Sequence, residues 1–139
     1  MRMKIAAAVA ALGVMASPAL ADRKGIAFVQ APEVASGSCT GPNKEAAFDC
    51  ARKQCIEGGG TAEDCIETAY CFPAFWSVEI SFQNKDGFSW SQAHCGFGSK
   101  EDALAAAKAL CDLETHPDLS QCQPYSVTDE DGNVTSLDQ

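Results

Sequence analysis

Two stretches with the same arrangement of cysteines decide the fold. Residues 39–65 read CTGPNKEAAFDCARKQCIEGGGTAEDC, and residues 95–122 read CGFGSKEDALAAAKALCDLETHPDLSQC. In both, 16 positions separate the first cysteine from the one that closes a helical run, and 10 or 11 more lead to the last. These cysteines are Cys39, Cys55 and Cys65 in the first stretch and Cys95, Cys111 and Cys122 in the second. The shared spacing indicates a duplicated, cysteine-stapled unit.

Each stretch contains an amphipathic helix. Asn43 and Ser99 are plausible helix N-caps, and the glycines at 58–60 end the first helix. Small and apolar residues recur at spacings of three and four, which predicts a buried stripe on each helix. The stripes consist of Ala47, Phe48, Ala51 and Cys55, and of Ala103, Leu104, Ala107, Leu110 and Cys111.

Alternating patterns predict strands around both helices. The clearest strand covers residues 75–82, where Trp76, Val78, Ile80 and Phe82 share one face. An Asp86-Gly87 pair then predicts a hairpin turn. The other predicted strands cover residues 25–30, 34–39, 65–71, 88–93 and 122–128. We therefore expect an α+β domain of two tandem ββαβ-like repeats, an antiparallel-rich sheet with two helices, stapled by disulfides. The repeats span approximately 22–74 and 75–129, and a short C-terminal tail follows.

Residues 1–21 have the pattern of a signal peptide. Arg2 and Lys4 precede an apolar run, and Ala19-Leu-Ala21 is a small-residue cleavage site. Of 10 basic and 19 acidic residues, this segment holds two basic ones, which leaves 8 against 19 and a net charge of −11. Such acidity disfavours nucleic acid and anionic membranes as partners. We expect a single mature domain, 22–139, that is periplasmic or secreted.

All eight cysteines follow the expected cleavage site, and an even, high count in a small exported chain predicts a disulfide framework. Cys55 to Cys65 and Cys111 to Cys122 each join the end of a helix to the start of a strand. Three pairings are possible for the remaining cysteines. We favour Cys39 with Cys95 and Cys50 with Cys71, and the main rival is Cys39 with Cys71 and Cys50 with Cys95. The cysteine spacings do not suit zinc, so we expect neither a metal nor a cofactor.

The unit resembles a family of small exported bacterial domains of uncharacterised function, found in proteobacteria and mycobacteria. The resemblance rests on a hairpin, an E-A-x-x-x-A-L-x-x-C type helix and a cysteine that opens the next strand. In this chain these features are the strand at 77–82, Ala103-Leu104, Cys111 and Cys122, with Glu45-Ala46-Ala47, Cys55 and Cys65 in the first half. The resemblance implies export and the fold but no chemistry. Cys50 and longer helix-to-strand loops depart from the pattern.

No catalytic signature is present in the sequence. His94 and Cys95 are neighbours in a strand, so their side chains point to opposite faces and do not form a catalytic pair. His116 is expected in an exposed loop. Glu67 and Glu79 are a candidate acid–base pair, although carboxylates on the outer face of a half-exposed sheet are the commoner explanation. The spacing of acidic residues at 129–133 starts like a calcium loop but lacks its remainder.

These observations favour an exported, disulfide-rich binding or structural domain without enzymatic activity. Its partner would be an unknown protein of the cell envelope or the medium. The aromatic hairpin, with Trp76, Phe88 and Trp90, is the candidate binding surface. The alternative is a protein inhibitor of a secreted hydrolase, in which the stapled loop 57–64 would enter a cleft. A small hydrolase that uses Glu67 and Glu79 is a third hypothesis.

Overall fold

The computed structural model describes residues 22–138, and the expected signal peptide lies outside them. The described residues form two helices and seven strands. They are β1 (Gly25–Ala31), β2 (Ala35–Gly41), α1 (Lys44–Glu57), β3 (Ile66–Cys71), β4 (Trp76–Asn84), β5 (Ser89–Phe97), α2 (Lys100–Leu110), β6 (Leu119–Thr128) and β7 (Val134–Ser136). The predicted α+β class is confirmed, and the short strand β7 was not predicted.

The strands form two antiparallel sheets instead of one. Sheet A has the strand order β2-β1-β3, and sheet B has the order β5-β4-β6-β7. In both halves the first strand is therefore central, with the second and third strands on its two sides. This common order agrees with a repeated unit, while the origin of the halves by duplication stays a prediction.

The helices cover the outer faces of the two sheets. Asn43 and Ser99 cap them, since each side chain accepts a hydrogen bond from the third helical N–H, that of Ala46 or Asp102. The predicted stripe of α1 is fully buried, whereas in the α2 stripe Leu104, Leu110 and Cys111 are only partly buried. The apolar face of β4 packs beneath α2, as expected; its buried members are Val78, Ile80 and Phe82.

The inner faces of the two sheets meet each other. Ile26 and Phe28 of β1 are buried there, and Ala93 and Cys95 of β5 pack against them. Because side chains alternate along a strand, β1 sends Ala27 and its alternate neighbours to α1 and Ile26 and Phe28 to sheet B. The layers therefore follow in the order α1, sheet A, sheet B, α2.

All eight cysteines are paired. The predicted bridges Cys55–Cys65 and Cys111–Cys122 are confirmed. The other two bridges are Cys39–Cys50 and Cys71–Cys95, so both the favoured pairing and its rival were wrong. Cys39–Cys50 fastens β2 to α1, and Cys71–Cys95 joins β3 of sheet A to β5 of sheet B.

A bulge in β5 explains the error. Cys39 lies opposite Ala27, whose side chain faces α1. In β5, Gly96 is an extra residue with φ 93° that interrupts the pairing with β4. A one-residue insertion reverses which face a side chain occupies. Cys95 therefore points towards sheet A, where Cys71 is its partner.

Candidate functional site

A cavity of about 220 Å³ lies between the two sheets. Its floor on the side of sheet B contains Glu79 from β4, Ser91 from β5 and Tyr125 from β6. Phe28 of β1 and Thr68 of β3 line it on the side of sheet A. With Ala35 and Ser36 of β2 included, six strands thus line one concave surface, which is a common setting for a ligand site.

Two bulges bring polar side chains into this cavity. Glu79 is opposite Ser126, but the next residue of β4 is opposite Pro124, so Tyr125 is extra. Both Tyr125 and Ser126 consequently lie beside Glu79 instead of alternating between faces. The same irregularity occurs in sheet A, where Thr68 is the extra residue of β3 opposite Phe28.

The position of these bulges is the same in the two halves. Thr68 follows Cys65 by three positions, and Tyr125 follows Cys122 by three positions. Each bulge lies on the third strand of its half, opposite the central strand. Phe28 and Glu79 occupy the corresponding places on the central strands, so the cavity sets an aromatic side chain of one half against a carboxylate of the other.

Glu79 is held by neutral hydroxyl groups. The Ser126 hydroxyl donates a 2.7 Å hydrogen bond to Oε2 of Glu79, and the Tyr125 hydroxyl is a second partner. Burial raises the pKa of Glu79, and the hydrogen bonds from Ser126 and Tyr125 offset only part of that effect. A carboxyl group with a raised pKa at the floor of a cavity marks a candidate functional site.

Tyr125 is a hydrogen-bond donor at neutral pH. Burial and then the charge of Glu79 raise its pKa to about 12, although a hydrogen bond with Ser91 opposes the shift. The phenol is therefore protonated and donates a hydrogen bond. The hydroxyl groups of Tyr125 and Ser126 thus contact the Glu79 carboxylate, and the Ser91 hydroxyl is hydrogen-bonded to Tyr125.

The placement of Glu79 on an outer, solvated face was wrong. The predicted alternation of apolar and polar residues along β4 is confirmed, but the polar face packs against sheet A instead of facing water. Ser77, on the same face, is 0% exposed. Glu67 lies on the α1 side of sheet A and accepts a 2.7 Å hydrogen bond from Arg52. The structure therefore does not bring Glu67 and Glu79 together as an acid–base pair.

Of the three candidate aromatic residues, only Phe88 is free at the surface, with 70% exposure. Trp76 and Trp90 pack against the core beneath α2, and the Trp90 ring stacks on Phe82 with 5.3 Å between centroids. Trp90 also borders a smaller hollow of about 180 Å³ that shares Gln30, Glu33 and Ser91 with the cavity. The aromatic hairpin is thus mostly core.

The other candidate residues behave as structural or surface groups. Cys95 is disulfide-bonded, and its neighbour His94 points to the opposite face of β5. His116 is exposed in a loop, as expected. The Asp129 carboxylate accepts hydrogen bonds from the backbone N–H groups of Asp131 and Asn133 and so stabilises a turn.

Within residues 22–138, no helix has the length and apolar character that crossing a membrane requires. In the same residues, no three His, Cys, Asp or Glu side chains are grouped so that they could hold a metal ion.

Sequence reasoning missed Tyr125, Ser126 and Ser91 as members of a site. The available signal was the run of polar residues at alternate positions of β4 and β5, Ser77, Glu79 and Ser81 with Ser89 and Ser91. Such a face is typical of solvent exposure, and only the second sheet turns it into the wall of a cavity.

Comparison with models of protein families, with curated proteins and with solved structures found no match in any of the three.

Proposed function

We propose that the protein is an exported, non-catalytic binding domain whose ligand site is the cavity between the two sheets. The observation that carries the proposal is the position of Glu79: a carboxylate on the floor of an open cavity, held by hydroxyl donors and largely removed from water. Burial of a carboxylate opposes folding unless the charge finds partners. A carboxylate placed in this way supports a role in binding.

The scaffold supports this proposal. Cys71–Cys95 joins the walls of the cavity directly, and Cys39–Cys50 and Cys55–Cys65 fix α1 on the back of sheet A. A site with rigid walls loses little conformational entropy when a ligand enters. Four disulfides are typical of a domain that folds in an oxidising compartment, and the pattern of residues 1–21 supports periplasmic or secreted location.

The lining residues favour binding over catalysis. Among them, Ser36, Thr68, Ser91 and Tyr125 carry hydroxyl groups, but no histidine of residues 22–138 lines the cavity to activate one of them. The ligand would be a small molecule, because a volume of about 220 Å³ is below the usual range of drug-sized sites, roughly 300–1,000 Å³. Binding of a protein partner through Phe88 stays a prediction.

Retention of small molecules tests the proposal. The disulfide-bonded protein is incubated with the low-molecular-weight fraction of a culture of the source cells, and retained compounds are identified by mass spectrometry after ultrafiltration. Ser91→Phe fills the cavity, while Ala105→Phe on the exposed face of α2 is a matched control. A compound retained unchanged by the wild type and the control, but not by Ser91→Phe, supports the proposal. Equal retention by all three proteins, or conversion of the compound, contradicts it.

A separate observation favours inhibition of a hydrolase as the second candidate. The exposed loop 57–64 is closed by Cys55–Cys65 and internally hydrogen-bonded, with Thr61 Oγ1 donating to Asp64 Oδ2 at 2.7 Å. A preorganised loop suits a protease cleft. Inhibition of secreted hydrolases by the wild type, lost when Glu63 and Asp64 are both replaced by alanine, would support this candidate.

A further inference from the structure

The two walls of the cavity combine apolar and polar groups. On the side of sheet A, the apolar ring of Phe28 lies beside polar residues that include Thr68. On the opposite side, Glu79 and Tyr125 supply a polar wall. A ligand that fits both walls has an apolar body and one polar end.

The charge of the cavity is purely acidic. Glu79 lies on the floor and Glu33 lies at the exposed rim, whereas no Lys, Arg or His is among the residues that line the cavity. Arg52, which neighbours sheet A on its other face, already pairs with Glu67. The partners that Glu79 finds within the protein are hydroxyl groups, which carry no compensating charge.

A cationic group in the cavity would supply that missing charge. An ammonium donates three hydrogen bonds, and charge-assisted hydrogen bonds to a carboxylate are about twice as strong as neutral ones. Ser126 and Tyr125 supply two hydrogen bonds to Glu79, whereas a carboxylate can accept about four. Glu33, which is exposed at the rim, adds a second acidic residue to the lining of the cavity.

We propose that the cavity between the sheets binds a small amine, whose ammonium group contacts Glu79 and whose short apolar body lies against Phe28. This inference rests on the proposed function, because it assigns the ligand class of the same site. The volume of about 220 Å³ equals roughly seven molecules of liquid water. It therefore suits a ligand of six to ten non-hydrogen atoms, in round numbers.

Three probes of nearly equal size test the ligand class. Pentylamine, pentanol and pentanoate share an apolar chain and differ in the charge of the head group. Each is titrated into ¹⁵N-labelled protein, and amide chemical shifts report both the site and the affinity. We expect pentylamine to shift amides of Glu79, Ser91 and Tyr125, with pentanoate at least about tenfold weaker.

Two isosteric variants distinguish attraction of pentylamine to Glu79 from its attraction to the overall negative charge of the protein. Glu79→Gln should weaken pentylamine binding about tenfold, while Glu114→Gln, which removes the same charge from the exposed loop between α2 and β6, should leave it unchanged. Equal weakening in both variants would show diffuse attraction to an acidic protein and would overturn the inference.

The remaining outcomes distinguish the inference from the proposed function. Equal binding of all three probes at the cavity would overturn the amine class and leave the cavity as a binding site. Amide shifts confined to other surfaces would overturn both. The spectrum of Glu79→Gln reports directly whether the variant is folded, and Tyr125→Phe provides a second cavity variant with the expected smaller loss.

Discussion

Cys39 and Cys95 each precede the cysteine at the end of a helix by 16 positions, yet their side chains lie on opposite faces of their strands. Cys39 faces α1 and bonds to Cys50, whereas Cys95 faces the neighbouring sheet and bonds to Cys71. The extra residue Gly96 causes the difference. One bulge thereby converts a bridge within a half into the bridge that ties the two halves together.

Tryptic mapping without reduction tests this connectivity. Cleavage after Lys44, Arg52, Lys85 and Lys100 places the four cysteines in different peptides. We expect peptide 25–44 to be linked to 45–52, and 54–85 to be linked to 86–100. A link between 25–44 and 86–100 would instead restore the pairing of Cys39 with Cys95 and contradict the bulge argument.

Replacement of Glu79 by Gln should change how stability depends on pH. The pKa of Glu79 is raised above its ordinary value of 4.5, so the folded state binds a proton more tightly than the unfolded state. The contribution of Glu79 to the free energy of unfolding is thus complete below pH 4.5, and it is lost as the pH rises through the raised pKa of Glu79. Glu79→Gln should gain stability over the wild type as the pH rises across that interval.

Urea unfolding at a series of pH values measures this difference. Glu63→Gln is the matched control, because the same charge is removed from an exposed loop. A difference between wild type and Glu79→Gln that stays constant from pH 4 to pH 8 would contradict the burial of an ionisable carboxyl.

Removal of the Ser126 hydroxyl should destabilise the fold. Ser126 is buried and donates the 2.7 Å hydrogen bond to Glu79. In Ser126→Ala the carboxylate keeps its burial but loses a donor, at a cost of about 1–3 kcal/mol. The loss should be greater at neutral than at acidic pH, since the ionised carboxylate needs the donor most. A double-mutant cycle that combines Ser126→Ala with Glu79→Gln measures the energetic coupling between the two side chains. Purely additive changes in the free energy of unfolding would argue against a coupled hydrogen bond.

Glu33 is held in a backbone conformation that glycine adopts more easily. A turn closed by the Val34 N–H and the Ala31 carbonyl has Pro32 second and Glu33, with φ 60°, third. These features define a type II turn, whose third position favours glycine. Glu33→Gly should therefore leave stability unchanged or raise it by up to about 1 kcal/mol. It should also weaken binding of a cation at the mouth. A clearly lower unfolding temperature of Glu33→Gly would contradict the argument that the positive φ strains the backbone at Glu33.

The elements of the fold could be predicted because each is encoded locally. The caps Asn43 and Ser99, the stripe of α1 and the alternation around Val78 and Ile80 all correspond to their roles in the structure. The disulfides Cys55–Cys65 and Cys111–Cys122 were likewise predictable, because each closes a short helix-to-strand loop.

The site could not be predicted, because it depends on relations between distant strands. Alternation identifies the polar face of β4 but does not tell whether water or a second sheet covers it. The bulges at Thr68, Gly96 and Tyr125 shift register without an evident signal in the sequence, apart from the glycine at Gly96. These shifts determine which side chains surround Glu79 and which cysteine meets Cys71.

The most direct test of the cavity as a site for a cationic ligand is the pKa of Glu79, measured by ¹³C NMR of its carboxyl group with and without pentylamine. We predict a pKa above the ordinary 4.5 in the free protein, because burial disfavours the charged form. We predict that pentylamine lowers it, because the ammonium stabilises the carboxylate. A pKa at or below 4.5 in the free protein, or one that pentylamine leaves unchanged, would contradict the account.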